Sequence, residues 1–465
     1  MLTSVIQFFY PDIQQEEIKK FSLLSAIFFL IIGTYWLLRL LKDTIFFKVA
    51  FPVCLGWQAE QGCLFQPLAK TLSPFVVLVM VLIYSKLVDL VKKHQLFYII
   101  CSFYAVLFTA CAGILFMKDA YGAESVGRIA LATMGWLSYF TIESFGSLAV
   151  ALFWSFTNST TTSSAAKRGF PFIVAVAQLA AIFGSGTLFF SGSIGALWPI
   201  LLLAAVLVGS VIPLVSYFIS TIPEDQLVGD IHAAATEKKK EGFLEGFVSG
   251  LTLLFTRSYL LAILVISTFY EAIAQIVEYQ MKVSASSSAD YASEIAFAQF
   301  QSAYGVGINT VSFLVALLGT SLIIKKCGTR ISLLIYPVIF GLTLLGLVAF
   351  FMTSPSTTAL LWATFGAMII IKGVGYAVNN PTKEIMYIPT SKDAKFKSKG
   401  WIDTFGSRFA KAGGAQVTNA FKRSMSQLMI YGSLIGFGLI GIWIFAAIFV
   451  GTKNKKLVDE GQIIE

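Results

Sequence analysis

Charge is scarce in this chain: Asp, Glu, Lys and Arg make up 13% of its 465 residues. That is about half the share in an ordinary soluble domain, so a solvated globular surface is excluded for most of its length. Cysteine and histidine are scarcer still, at five and two. Cys101, Cys111 and Cys327 lie in or beside apolar runs as small core residues. His94 and His232 fall in loop-like segments with no partner for a metal set or a triad, so no metal and no cofactor is expected. No GxxxxGKS or GxxxxGKT loop occurs, which leaves hydrolysis through a Walker fold unsupported. A clustered catalytic constellation and a large ligand domain are also missing, which argues against an enzyme and against a receptor.

What the chain has instead is apolar length. It is 57% hydrophobic, with a mean hydropathy of +0.78, and reads as a polytopic protein of the lipid bilayer. About 20 apolar residues cross the hydrocarbon core as a helix. Twelve such stretches are counted, at 21–45, 68–91, 95–117, 127–156, 170–191, 196–220, 258–281, 297–324, 331–352, 357–379, 401–421 and 427–451. Residues 1–20 are short and mixed and the first apolar run is too long for a signal core, so neither a cleavable signal nor a transit peptide is read there. Cations fall in alternate loops: Lys19 and Lys20, Lys86 to Lys93, Lys167 and Arg168, Lys238 to Lys240, Lys325 to Arg330, Lys392 to Lys399, and Lys453 to Lys456. Both termini are therefore expected to be cytoplasmic, and the net charge of +9 reads as loop lysine rather than nucleic-acid binding. Cys54 and Cys63 share the first loop, which this topology places outside, where a disulfide between them is an option.

The longest polar connection follows span six. It divides the chain into an N-terminal six-helix half (1–222), a cytoplasmic linker (223–257) and a C-terminal six-helix half (258–465). The expected fold class is an all-α polytopic membrane protein of about 12 transmembrane helices, a major-facilitator-like 6+6 pseudo-symmetric bundle. Spans four and ten each end near an asparagine and run into a lysine-containing turn that ends in glycine: Asn158 with Lys167-Arg168-Gly169, and Asn379 with Lys397-Ser398-Lys399-Gly400. The echo fits an internal duplication.

Ionisable groups inside membrane helices face a bundle interior or an aqueous cavity, so their spacing is informative. Tyr35, Arg39 and Lys42 share one face of span one, with Asp43 beside them. Span four carries Glu143, Ser147, Trp154 and Asn158; span seven carries Glu271, Gln275, Glu278 and Lys282; span ten carries Lys372, Tyr376, Asn379 and Lys383. Span eleven adds Arg408 and Lys411, with Asp403 a turn earlier. Spans one, four, seven and ten line the central cavity of a major-facilitator bundle. Plainer readings stand beside this one: Lys42 snorkelling at a helix end, Glu143 as a protonated structural hydrogen bonder, and Glu278 with Lys282 as an i,i+4 bridge. Lys392, Lys395, Lys397 and Lys399 read as ordinary positive-inside charge.

Four separated blocks carry a resemblance. They are YWLLRLLKDT in span one, ESFGSLAVALFWSFTN with AAKR in span four, IVEYQMK in span seven, and the charged stretch NNPTKEIMYIPTSKDAKFKSKGWIDTFGSRFAKAGGA at 379–415. In this order they resemble the ATP/ADP translocase family, the nucleotide transporters of obligate intracellular bacteria and plastids. The resemblance implies a carrier exchanging ATP for ADP by alternating access, with Lys42, Glu143, Glu278 and Lys383 as the important charged positions. Ser-Phe follows Glu143 where the family has Leu-Trp, Asn380 stands where Asp precedes Pro-Thr-Lys-Glu, and Tyr-Gln-Met separates Glu278 from Lys282.

On that footing the phosphates are expected to meet Arg39, Lys42, Lys282, Lys383, Arg408 and Lys411 in a cationic central cavity. Asp43, Glu143 and Glu278 would gate or couple, and Tyr35, Asn158, Gln275, Tyr376 and Asn379 would line the polar path. ATP and ADP are the expected partners, with other nucleotides, phosphate or protons as further ones, in a monomeric carrier of the bacterial inner membrane. The alternative is a proton-coupled nucleotide symporter that uses Glu143 or Glu278 as proton carrier.

Overall fold

The structure is a computed structural model that describes residues 10–223, 227, 243–318 and 320–464. The expected linker's 228–242, with His232 and Lys238 to Lys240, lies outside the described residues, as do the side chains of Lys325, Lys326, Cys327 and Lys392. Among the described residues all regular structure is helical apart from one isolated bridge between Thr390 and Ile464. A chain immersed in hydrocarbon must satisfy its backbone internally, and helices do so.

The longer helices in chain order are α1 (Ile18–Thr44), α2 (Gln61–Leu90), α3 (Lys93–Tyr121), α4 (Arg128–Ser159), α5 (Ser163–Thr187), α6 (Trp198–Thr221) and α7 (Phe243–Thr256). They continue with α8 (Ser258–Ser286), α9 (Glu294–Leu318), α10 (Thr320–Met352), α11 (Thr357–Val374), α12 (Asn380–Ile385), α13 (Lys392–Trp401), α14 (Ser407–Phe421) and α15 (Met425–Asp459). Serines start three of them: Ser356, Ser391 and Ser424 accept from the N–H groups of Ala359, Ala394 and Gln427 at 3.2, 3.1 and 3.3 Å. Gly328, at φ 70°, interrupts α10 in the left-handed region that a side chain disfavours.

Eleven helical runs among the described residues are long and apolar enough to cross a membrane. The expected span at 401–421 is helical, but Asp403, Arg408 and Lys411 give it a polar face.

The chain divides into two compact units, Met1–Ala59 with Val76–Lys240 and Ser293–Val306, and Glu60–Phe75 with Glu241–Ala292 and Gly307–Glu465. In the first unit α1 packs on α5, α4 and α6, and α3 packs on α6 and α4. A Cβ on Gly184 would collide with the backbone of Gly33, so α5 lies directly against α1. In the second unit α8 packs on α14, α15 and α11, and a Cβ on Gly414 would collide with the backbone of Ala272 in the same way. Tyr270, Tyr336, Phe340 and Trp443 form an aromatic cluster there, and the Tyr336 hydroxyl donates to the Ile371 carbonyl at 3.0 Å.

The optional disulfide is not formed. Cys54 is an exposed free thiol on the one-turn helix Val53–Leu55. Cys63 is a buried free thiol in α2 whose Sγ donates to Ser286 Oγ at 3.7 Å, so its side chain is committed to another partner.

Candidate functional site

In the first unit the helical spacing of α1 sets Tyr35, Arg39 and Lys42 on one face. Lys42 is buried, and its ammonium donates to Glu143 Oε1 on α4, lies 3.9 Å from Asp43 Oδ1, and sits 4.4 Å from the ring centre of Tyr139. The Arg39 guanidinium lies 4.8 Å from the ring centre of Trp36. Gly146 leaves room for the Tyr35 ring against α4, since a Cβ there would strike it. Asn158 is exposed on the last turn of α4. At about 1.5 Å per residue it is on the order of 20 Å from Glu143 along the helix, so α4's polar face is not one site.

In the second unit Glu271, Gln275, Glu278 and Lys282 are all buried along α8. Lys282 donates to Glu278 Oε1 at 2.5 Å, the bridge that spacing allowed. Two turns earlier on α8, Glu271 Oε2 accepts from Lys372 of α11 at 2.7 Å, and its Oε1 lies 3.5 Å from Lys411 of α14. Lys383 of α12 lies 3.7 Å from Asp403 Oδ1, and Arg408 is half-buried on α14. Lys282, Lys372, Lys383, Arg408 and Lys411 thus outnumber Glu271, Glu278 and Asp403, an excess of positive charge.

Asn379 is buried, and its Nδ2 has no hydrogen-bond partner among the described residues. A buried amide left so is costly unless something else satisfies it. Tyr376, half-buried, shares with it a single π-helical turn, Gly375–Asn379, between α11 and α12. Two further π-helical turns, Ile45–Val49 after α1 and Ile402–Gly406 before α14, adjoin Lys42 and Arg408. Such turns widen a helix locally and recur at functional sites. In the turn after α12, burial raises the Tyr387 phenol above its ordinary range, and the Asp403 and Glu384 carboxylates raise it further.

Two features escaped the sequence reading. The π-helical turns have no residue signature. The partnership of Glu271 with Lys372 is the other: both lie on the polar faces of spans seven and ten, but a helical face does not name its partner.

Similarity in three dimensions runs to solved membrane transporters. The nucleoside transporter NupG superposes with a TM-score of 0.58 at 15% identity, covering 92% of this chain and 98% of that one. A POT family transporter in complex with 5-aminolevulinic acid gives 0.64 at 12% identity, covering 96% and 99%. At such identities the likeness shows the fold, which is major-facilitator-like, and its apolar spans make the chain a multi-pass membrane protein.

Residues 1–453 match the TLC ATP/ADP transporter family, and the chain belongs to that family. It is 27% identical to ADP,ATP carrier protein 1 of Rickettsia prowazekii, with 97% of this chain and 96% of the carrier aligned. ADP,ATP carrier protein 1 of Chlamydia pneumoniae is also 27% identical, over 97% and 93%. The plastidic ATP/ADP-transporter of Solanum tuberosum is 26% identical, over 98% and 76%.

Proposed function

We propose that this protein is an ATP/ADP antiporter that imports ATP in exchange for ADP by alternating access. The observation that supports it best is the set of lysines held in apolar spans, each matched to a carboxylate, in a chain of the ATP/ADP transporter family. Buried ammonium groups are costly unless they are paired, and phosphate oxygens are the strongest replacement partners for them. On this reading Arg39 and Lys42 in the first unit and Lys282, Lys383, Arg408 and Lys411 in the second hold phosphate oxygens by charge-assisted hydrogen bonds. Asp43, Glu143 and Glu278 take over those cations when no phosphate is bound.

The residues 1–222 and 258–465 act as two six-helix halves joined by a cytoplasmic linker, in a monomer with both termini in the cytoplasm of a bacterial cell. Exchange of ATP carrying four charges for ADP carrying three moves one net charge, worth about 2.3 kcal/mol per 100 mV. An inside-negative membrane therefore opposes ATP import unless phosphate moves with ADP or the concentration ratio compensates.

The reading is tested by Lys42→Ala and Lys383→Ala in reconstituted vesicles. Both are expected to abolish nucleotide uptake while the protein remains folded; normal uptake by both would remove the phosphate assignment.

A further inference from the structure

Two ion pairs between spans have the same separation in sequence. Lys42 and Glu143 are 101 residues apart in the chain, and so are Glu271 and Lys372. The first pair joins α1 to α4 and the second joins α8 to α11, which are spans one with four and seven with ten in the sequence count. A charge pair thus joins the corresponding spans in each unit, but with reversed sense: the cation comes first in one unit and the carboxylate first in the other.

The reversal changes what each pair can do. In the first unit Lys42 lies near two carboxylates, Asp43 and Glu143. In the second, one carboxylate is divided between two cations. Its Oε2 takes Lys372 at 2.7 Å, and its Oε1 faces Lys411 at 3.5 Å. The Glu271 and Lys372 side chains are 7% and 2% exposed, whereas Lys411 is 31% exposed, so this cluster runs from a closed end to an open one.

Two lysines facing two oxygens of one anionic group is also how a terminal phosphate is held. We infer that Glu271 is a specificity-determining residue, a tethered carboxylate that occupies a phosphate position against Lys372 and Lys411 and thereby sets how many phosphate charges the carrier prefers. The inference rests on the nucleotide-carrier reading above. With Glu271 in place the three side chains sum to one positive charge. Without it they would sum to two, matching a terminal phosphate that carries about two negative charges near pH 7.

The test compares four purified proteins in lipid nanodiscs: the unaltered chain, Glu271→Gln, Lys411→Met, and the double variant. Binding of AMP, ADP and ATP is measured by calorimetry, and ATP uptake is followed in parallel in proteoliposomes. The ratio of ATP to AMP affinity is expected to follow the charge of the cluster. It rises about tenfold in Glu271→Gln, falls about tenfold in Lys411→Met, and returns to within about twofold of the unaltered value in the double variant.

If Glu271→Gln and the double variant do not fold because Lys372 has lost the Glu271 carboxylate, Glu271→Gln combined with Lys372→Met removes both members of that pair and keeps the sum at one; it should hold the unaltered ratio, whereas a tenfold fall would show that the charge of Glu271 does not count. Equal ratios in all the folded proteins would overturn the inference, and so would a uniform loss of affinity for all three nucleotides, which marks a purely structural pair. Failure of the unaltered protein to bind or transport any nucleotide would instead overturn the functional reading on which the inference rests.

Discussion

Replacing Lys42 by Met takes its ammonium from Glu143, and replacing Glu143 by Gln leaves Lys42 with the more distant Asp43 at 3.9 Å. Their side chains are 3% and 16% exposed, so the charge left behind is largely desolvated in either case. Breaking a buried pair from one side costs about 3–5 kcal/mol, and the partial exposure of Glu143 places each single variant near the low end, ~3 kcal/mol. Lys42→Met also forfeits the contact with the Tyr139 ring, worth about 1 kcal/mol more. Removing both charges together spares Glu143 that loss, although the buried Asp43 carboxylate still loses the ammonium 3.9 Å away, and the Lys42→Met/Glu143→Gln double variant is expected to regain about 1–2 kcal/mol over Lys42→Met alone. Denaturant unfolding of the purified protein in detergent measures all three, and uptake of labelled nucleotide into vesicles measures function alongside. Stability should therefore recover in part in the double variant while uptake does not, because the cation offered to phosphate is gone. Single variants within 0.5 kcal/mol of the unaltered protein, about the spread of ordinary surface changes, would refute the buried pair. A double variant that regains uptake would take Lys42 out of the phosphate contacts.

Two further outcomes follow from the geometry. Gly414→Ala places a methyl group into the Ala272 backbone and should cost about 1–3 kcal/mol with loss of uptake, whereas nothing lies within 4 Å of the position at Gly413 and Gly413→Ala should be near neutral; parallel unfolding of the two variants checks it. Cys54 should react with a membrane-impermeant maleimide without reductant while Cys63 does not; labelling of neither until a reductant is added would restore the disulfide.

Much of the fold was legible because lipid imposes a simple rule. Apolar runs of sufficient length become helices, and α1, α3, α6 and α15 follow from that alone. The stretch at 401–421 departs from it because Asp403, Arg408 and Lys411 serve a polar cluster, so its helix forms without being apolar throughout. Spacing along one helix sets Tyr35, Arg39 and Lys42 on one face of α1 and Glu278 within reach of Lys282, since i+3 and i+4 relations are local. It failed where distance along the axis or partnership across helices decides. Asn158 shares the Glu143 face but lies turns away, and Glu271 could not be matched to Lys372 or Lys411 without the packing of α8 on α11 and α14. The disulfide option came from a shared loop, but loop membership says nothing of where a thiol points.

The measurement that bears most directly on the account is uptake of labelled ATP into proteoliposomes, comparing vesicles preloaded with ADP, empty vesicles, and vesicles under an imposed proton gradient. The account predicts strong stimulation by internal ADP with no gradient. Uptake that ignores internal ADP and follows the proton gradient would contradict it, and would make Glu143 and Glu278 proton carriers in a net importer.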